Sequence, residues 1–230
     1  MSNAFADSMV FSPTQLTMFV GSPLSGGTGW TDQASYDSPS WGGLSFSLAG
    51  ALSEGVGGRN TGARIGYARG PVATSLAWQS VKKNPSTFAD GTSPNDTKAW
   101  QLAASYDFGV AKVFAHLGRI QIDGTATAPL DIAYKLWDVS VSVPIGAGRL
   151  LAGYAARKTD DAVGPVPATL AGGNIERKVA TVAYDYHLSK RTDVYAVLMR
   201  DDTVTRTLPP PGSNVGASGT SLAVGARHRF

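Results

Sequence analysis

Cysteine is absent from this chain of 230 residues. That removes disulfide scaffolds, thiol nucleophiles, thiolate zinc sites and iron–sulfur clusters in one step. Charge is scarce: Asp, Glu, Lys and Arg make up 16% of the residues, where a soluble domain carries roughly a quarter. Long apolar runs are missing too, and without ~20 consecutive apolar residues no helix of this sequence can cross a bilayer. Basic residues occur singly or in pairs such as Lys82-Lys83 and Lys190-Arg191, and the net charge is +3, so no nucleic-acid footprint stands out. Met1 to Val10 has neither a basic n-region nor an apolar h-region, so no secretory signal lies in this chain. Catalytic signatures are lacking as well. His116, His187 and His228 stand in no motif of the G-x-S-x-G kind. Gly55, Gly57 and Gly58 are not followed by the lysine and helix of a phosphate loop. Asp160-Asp161 and Asp201-Asp202 have oxygen ligands but no EF-hand spacing, and read as solvated charge at loop starts.

What is plentiful is alternation. Leu44, Phe46 and Leu48 face one way and Ser45, Ser47 and Ala49 the other; Trp100, Leu102, Ala104 and Tyr106 oppose Gln101, Ala103, Ser105 and Asp107. This period of two is that of strands, not helices. Eleven such runs are predicted near 32–38, 43–53, 60–69, 72–83, 97–108, 110–122, 131–143, 148–158, 175–188, 191–201 and 219–230. The 27 glycines and 13 prolines gather between them. Connectors alternate strictly: short ones such as Gly70-Pro71 and Ser189-Lys190, long ones such as Asn84 to Asp96 and Thr159 to Asn174. All tight turns therefore lie at one end of the sheet and all loops at the other. That arrangement belongs to an up-and-down antiparallel barrel in an outer membrane, with short periplasmic turns and long extracellular loops.

The two faces agree with this. The polar face consists of Gly, Ala, Ser, Gln, Asp and Arg, which suits a watered lumen rather than a dry core. The apolar face carries Trp78, Trp100 and Trp137 toward the long loops. Toward the short turns it carries Tyr106, Phe108, Tyr184, Tyr186, Tyr195 and Phe230. Aromatic belts of this kind bound a lipid band. Lys98, Arg119, Lys135 and Lys158 share the lipid face but fall at long-loop ends, where their side chains can snorkel to water.

Three stretches carry a family resemblance. Tyr184 to Arg200 reads YDYHLSKRTDVYAVLMR, Gly225 to Phe230 reads GARHRF, and Tyr36 to Gly43 reads YDSPSWGG. With these, residues 32–230 resemble the general-diffusion porins of Gram-negative bacteria, of the betaproteobacterial type. The resemblance implies an all-β transmembrane barrel of the family with about 16 strands, of which the eleven here would be the sixth to the sixteenth. It implies a homotrimer embedded in outer-membrane lipid, passing small solutes and ions without a cofactor or bound metal. Phe230 would be the signal read by the outer-membrane assembly machinery. Residues 1–31 would stand in place of the loop that narrows the pore, with Asp7 as the only acid up to Trp30. An odd number of meandering strands leaves the first and last parallel, so the chain is expected to be a truncated copy that would not close by itself.

The expected pore-lining residues are Arg64, Gln79, Gln101, Asp107, Lys112, His116, Asp138, Arg149, Asp185, Arg200 and Arg227. In 191–201 both faces are apolar, so that strand's orientation rests on Arg200 alone. Basic groups facing inward (Arg64, Lys112, Arg149, Arg157, Arg200, Arg227, Arg229) outnumber acids (Asp107, Asp138, Asp185), which predicts a mild anion preference. The competing reading is an autotransporter-like translocator barrel plugged by a helix. Met1 to Trp30 is the only room for that helix, yet Pro13, Gly21, Pro23 and Gly26-Gly27 interrupt it. A soluble all-β binding module is the third.

Overall fold

The computed structural model describes residues 3–5, 11–18, 30, 32–52, 59–82, 96–123, 131–163, 174–206 and 214–230. A short helix α1 (Pro13–Met18) is followed by eleven strands: β1 (Gln33–Asp37), β2 (Leu44–Ala51), β3 (Asn60–Arg69), β4 (Val72–Val81), β5 (Asp96–Asp107), β6 (Lys112–Asp123), β7 (Asp131–Ile145), β8 (Gly148–Val163), β9 (Asn174–His187), β10 (Thr192–Arg206) and β11 (Asn214–His228). They form one sheet in sequence order, every neighbouring pair antiparallel. The eleven predicted strands are thus present, and the short connectors are as tight as expected. Gly70 and Gly146 open two-residue hairpin turns with φ of 59° and 60°, the positive φ that the first position of a II′ turn demands. The long connectors fall largely outside the described residues.

Three differences from the sequence reading have physical causes. First, β8, β10 and β11 run further toward the long loops than their apolar alternation does. Asp160-Asp161 and Asp201-Asp202 therefore lie within β8 and β10, because ladder hydrogen bonds continue where the face pattern has turned polar. Second, Pro13 begins α1 instead of interrupting it: a missing N–H costs nothing in the first turn, and Leu16 N already bonds to Ser12 O at 3.0 Å. At six residues, α1 is far too short to plug a barrel. Among the described residues no helix is long and apolar enough to cross a membrane.

Third, β10 is oriented oppositely to expectation. Val194 pairs with Tyr186 and Ala226, and Leu198 with Val182 and Leu222, so the even-numbered residues of β10 share the apolar face. Arg200 is on that face, beside Asp202 at 3.0 Å and directly opposite Ala180 and Thr220; it does not face inward. Tyr195, assigned to the outer aromatic belt, faces inward opposite Asp185 and Gly225. A Cβ on Gly225 would come within 2.5 Å of the Tyr195 hydroxyl. The glycine is the space the ring occupies.

The outer face is an apolar band, with Val182, Leu198, Leu222 and Val224 at least half exposed and Arg200 standing within it. Trp78 stands directly opposite Trp100, and the Trp137 ring lies 5.4 Å from that of Tyr154. At the other margin Tyr106 and Phe108 lie 4.5 Å apart, and the Tyr184 hydroxyl donates to Ile145 O at 3.0 Å. Above the band stand the outward ion pairs Lys82–Asp96 and Lys98–Asp123, at 2.5 and 3.1 Å.

Candidate functional site

The inner face is less uniformly small and polar than its composition suggests. Phe114, Leu151, Ala183 and Val197 form one buried cluster with Ala4 and Phe5, flanked by Phe11 and Tyr195. Ala99, Ile120, Ile122 and Leu136 form a second, with Tyr134 against it. The first exists because residues 3–5 and 11–18 are folded onto the inner face of β7–β9. Ala4 N donates to Ser140 Oγ at 3.0 Å and Thr181 Oγ1 donates to Phe11 O at 2.8 Å. Gly153 makes the fit possible, since a Cβ there would lie 2.9 Å from the Phe5 ring.

Two arginines hold the far end of this segment. Arg177 donates to Leu16 O at 3.0 Å and Arg157 to Thr17 O at 3.3 Å, so guanidinium charge meets the free carbonyls at the end of α1. Arg177 is itself paired with Asp201.

The predicted lining residues fall into two groups. On β3–β6, Arg64 is exposed and Gln79, Gln101 and Lys112 are half-buried, all facing inward by register. Asp107 faces inward opposite Lys112 and accepts from Gly109 N at 2.8 Å, so it also fastens the turn. A recess of about 420 Å³ opens here, lined in part by Ser45, Arg64, Gly66, Ser75, Ala103 and Ser105. On β6–β11 the inward charges are tied down. His116 Nδ1 lies 3.2 Å from Asp138 Oδ2, both buried. Asp185, wholly buried, receives Arg149 at 2.9 Å and Arg227 at 3.5 Å. Arg227 also binds Asp193.

Asp193, Arg177 and Asp201 are inward charges absent from the expected set. Asp193 stands directly opposite His187 across the β9–β10 hairpin, and His187 shares the face of Asp185 by period two; counting across the tight turn is the signal that finds it. The donor atoms of Asp185, His187 and Asp193 lie within 4.8 Å of one another. Both carboxylates are already committed to arginines, and the cluster is an ion-pair network near the short turns. With Arg200 outside and two further acids inside, the basic excess of the inner face is smaller than predicted.

Lys82, just beyond β4, has its pKa raised above the ordinary lysine value by its hydrogen bond to Asp96.

A meander with tight turns at one end, an apolar outer face and a charged inner face under a folded-in segment is the anatomy of one protein class, and residues 1–206 match the family of Gram-negative porins. The chain belongs to that family. A Gram-negative porin is a protein of the bacterial outer membrane, and so is this one. The fold is similar to that of the anion-selective porin from Comamonas acidovorans, with 26% identity and a TM-score of 0.66 over 86% of this chain and 59% of that one. It is also similar in fold to the OmpT outer-membrane protein of Vibrio cholerae. The in-vitro folded form has 16% identity and a TM-score of 0.61 over 85% of this chain and 63% of that chain. The outer-membrane expressed form has 16% identity and a TM-score of 0.66, with 99% and 74% covered. The porin chain described here thus spans 59% of the length of the Comamonas porin. No curated protein matches it.

Proposed function

We propose that the protein contributes to a water-filled outer-membrane channel through which small hydrophilic solutes and ions diffuse passively, with a mild preference for anions. Family membership supports the channel, and one observation carries the pathway: the inner face of β3–β6 presents Arg64, Gln79, Gln101, Asp107 and Lys112, with a recess of small and polar residues at Arg64. Such groups orient dipolar solutes, and the remaining basic excess favours anions. Residues 1–31 take the part of the constricting segment. Their described portions lie against β7–β9, so they narrow the lumen from one side.

The protein acts as a homotrimer in outer-membrane lipid. Phe230, fully exposed after β11, serves as the signal for the assembly machinery. The reading assigns no catalytic step: the buried His116 faces Asp138 at 3.2 Å. It also assigns no autotransporter role, since α1 is two turns at most.

Conductance across a planar bilayer tests the proposal. Discrete openings, with a reversal potential displaced toward the anion equilibrium value in a salt gradient, are the expected result. A protein that forms no conducting channel would refute the pathway, and a cation-selective channel would refute the preference.

A further inference from the structure

The inner wall of β2–β5 carries hydrogen-bonding groups that unselective diffusion does not require. Three cross-strand rows lie on it in register. Nearest the short turns Ser45 and Ser75 flank Gly66; the next row holds Ser47, Arg64 and, past Ala77, Gln101; the third sets Gly62 beside Gln79. The Arg64 guanidinium leans over the first row, where a Cβ on Gly66 would lie 3.4 Å from its Nη2 and 3.6 Å from Ser45 Oγ. Charge and hydroxyl thus converge over a residue with no side chain. Among the described residues Arg64 has no ion pair, and the Ser45 and Ser75 hydroxyls make no hydrogen bond. The recess they share, about 420 Å³, has the size of a small-molecule site.

An aromatic surface stands at the other end of these rows. Trp30 is half-buried, and a Cβ on Gly62 would come within 3.3 Å of its Cη2, so a glycine is again the seat. Gly62 and Gly66 are separated along β3 by about 13 Å, at ~3.3 Å per residue, and Arg64 stands midway. Along that line the wall presents a flat apolar ring, then a guanidinium with the amides of Gln79 and Gln101 to one side, then hydroxyls. The three rows hold one charge, that of Arg64. A sugar that carries a carboxylate matches each part. The C–H face of one ring lies on the indole, ring hydroxyls bond to amides and serines, and the carboxylate meets the guanidinium. A short carboxylate would engage Arg64 and leave the indole and the hydroxyls unused. A neutral sugar would leave the guanidinium charge unanswered.

We propose that this wall binds acidic sugars of two linked rings, with one ring stacked on Trp30, a carboxylate on Arg64, and hydroxyls of the second ring on Ser45 and Ser75. The inference rests on the reading of this wall as the solute pathway, and it names the class of solute that the pathway retains.

Isothermal titration calorimetry of the protein, extracted from outer membranes in neutral detergent, tests this with digalacturonate, maltose and lactate as probes. Digalacturonate is expected to bind about tenfold more tightly than either of the others, given its charge-assisted contact with Arg64 and its ring contacts. Arg64→Gln removes the preference over maltose. Trp30→Ala weakens digalacturonate binding about fivefold, and Trp30→Phe, which keeps a ring, recovers most of the loss. Should Arg64→Gln fail to fold, Ser45→Ala with Ser75→Ala lowers the affinity about threefold. Lys82→Gln, at the rim, leaves it unchanged. Equal binding of maltose, or a preference that survives Arg64→Gln, overturns the proposal. Lactate binding as tightly as digalacturonate, or an affinity indifferent to Trp30→Ala, overturns it in favour of a plain carboxylate site. In planar bilayers, a protein that conducts ions but binds no digalacturonate in the calorimeter refutes the sugar site alone; one that binds it but does not conduct refutes the channel alone.

Discussion

The inner wall of β2–β5 and the inner wall of β6–β10 share one alternation of side chains but not one environment. Toward its short turns the first is built from Ser45, Ser47, Arg64, Ala73, Ser75, Gln101 and Ala103, none of them buried. The second carries Phe114, Leu151, Val179, Val197 and Met199, all buried, with residues 3–5 and 11–18 laid over part of it. Charges follow the same division. Arg64 has no ion pair among the described residues, whereas Arg149, Arg177 and Arg227 are each bound to a carboxylate. One half of the wall is thus a docking surface and the other a solvated one. A fixed positive charge is worth most to a passing ion where no neighbouring acid cancels it.

That division can be broken at the covered half first. Asp185→Asn leaves Arg149 and Arg227 facing an uncharged amide in a buried site, and the expected loss is about 3 kcal/mol, read from the midpoint of urea unfolding in detergent. Next, Phe5→Ala removes the buried anchor of the segment and weakens its docking by about 3 kcal/mol. Single-channel conductance should rise as the covered wall becomes wet; unchanged conductance would mean that the segment does not narrow the path. The bare half responds in selectivity rather than stability. Arg64→Glu should move the reversal potential toward cations while shifting the unfolding midpoint by less than about 0.5 kcal/mol, and a larger stability loss would show Arg64 to be structural.

The smallest effect belongs to the rim above the bare half. The Lys82 pKa is raised in the folded protein, so the folded state holds this proton more tightly. The stability it contributes is complete below the ordinary lysine pKa and disappears as the pH climbs through the raised value. Thermal stability followed across that alkaline range should fall slightly more steeply for the wild type than for Lys82→Gln. Parallel curves would sever the pair from stability.

Much of this molecule was legible beforehand because a barrel strand records its surroundings locally. Eleven alternating runs and the parity of the connectors sufficed for the meander, and the facing of Arg64, Gln101, Lys112, His116, Asp138, Arg149, Asp185 and Arg227 followed from period two. Arg200 did not, because β10 places Val194, Ala196 and Leu198 on one side and Tyr195, Val197 and Met199 on the other, and neither side is polar enough to choose. The covered half was invisible for another reason. Phe114 and Leu151 can be large only because Phe5 packs on them, and the hydrogen bond from Ala4 to Ser140 spans 136 positions. No periodicity encodes a contact of that range.

The close fit of Tyr195 against Gly225 bears on the same ambiguous strand. Hydrophobicity would let β10 thread into the sheet either way round, and sliding it by one residue exchanges its two faces completely. Only one threading puts the phenol over a residue with no side chain and Asp193 beside Arg227. A missing methyl group on one strand thus acts as a keyway for the next, a proofreading device that rejects a misaligned hairpin by collision instead of rewarding the right one with greasier contacts.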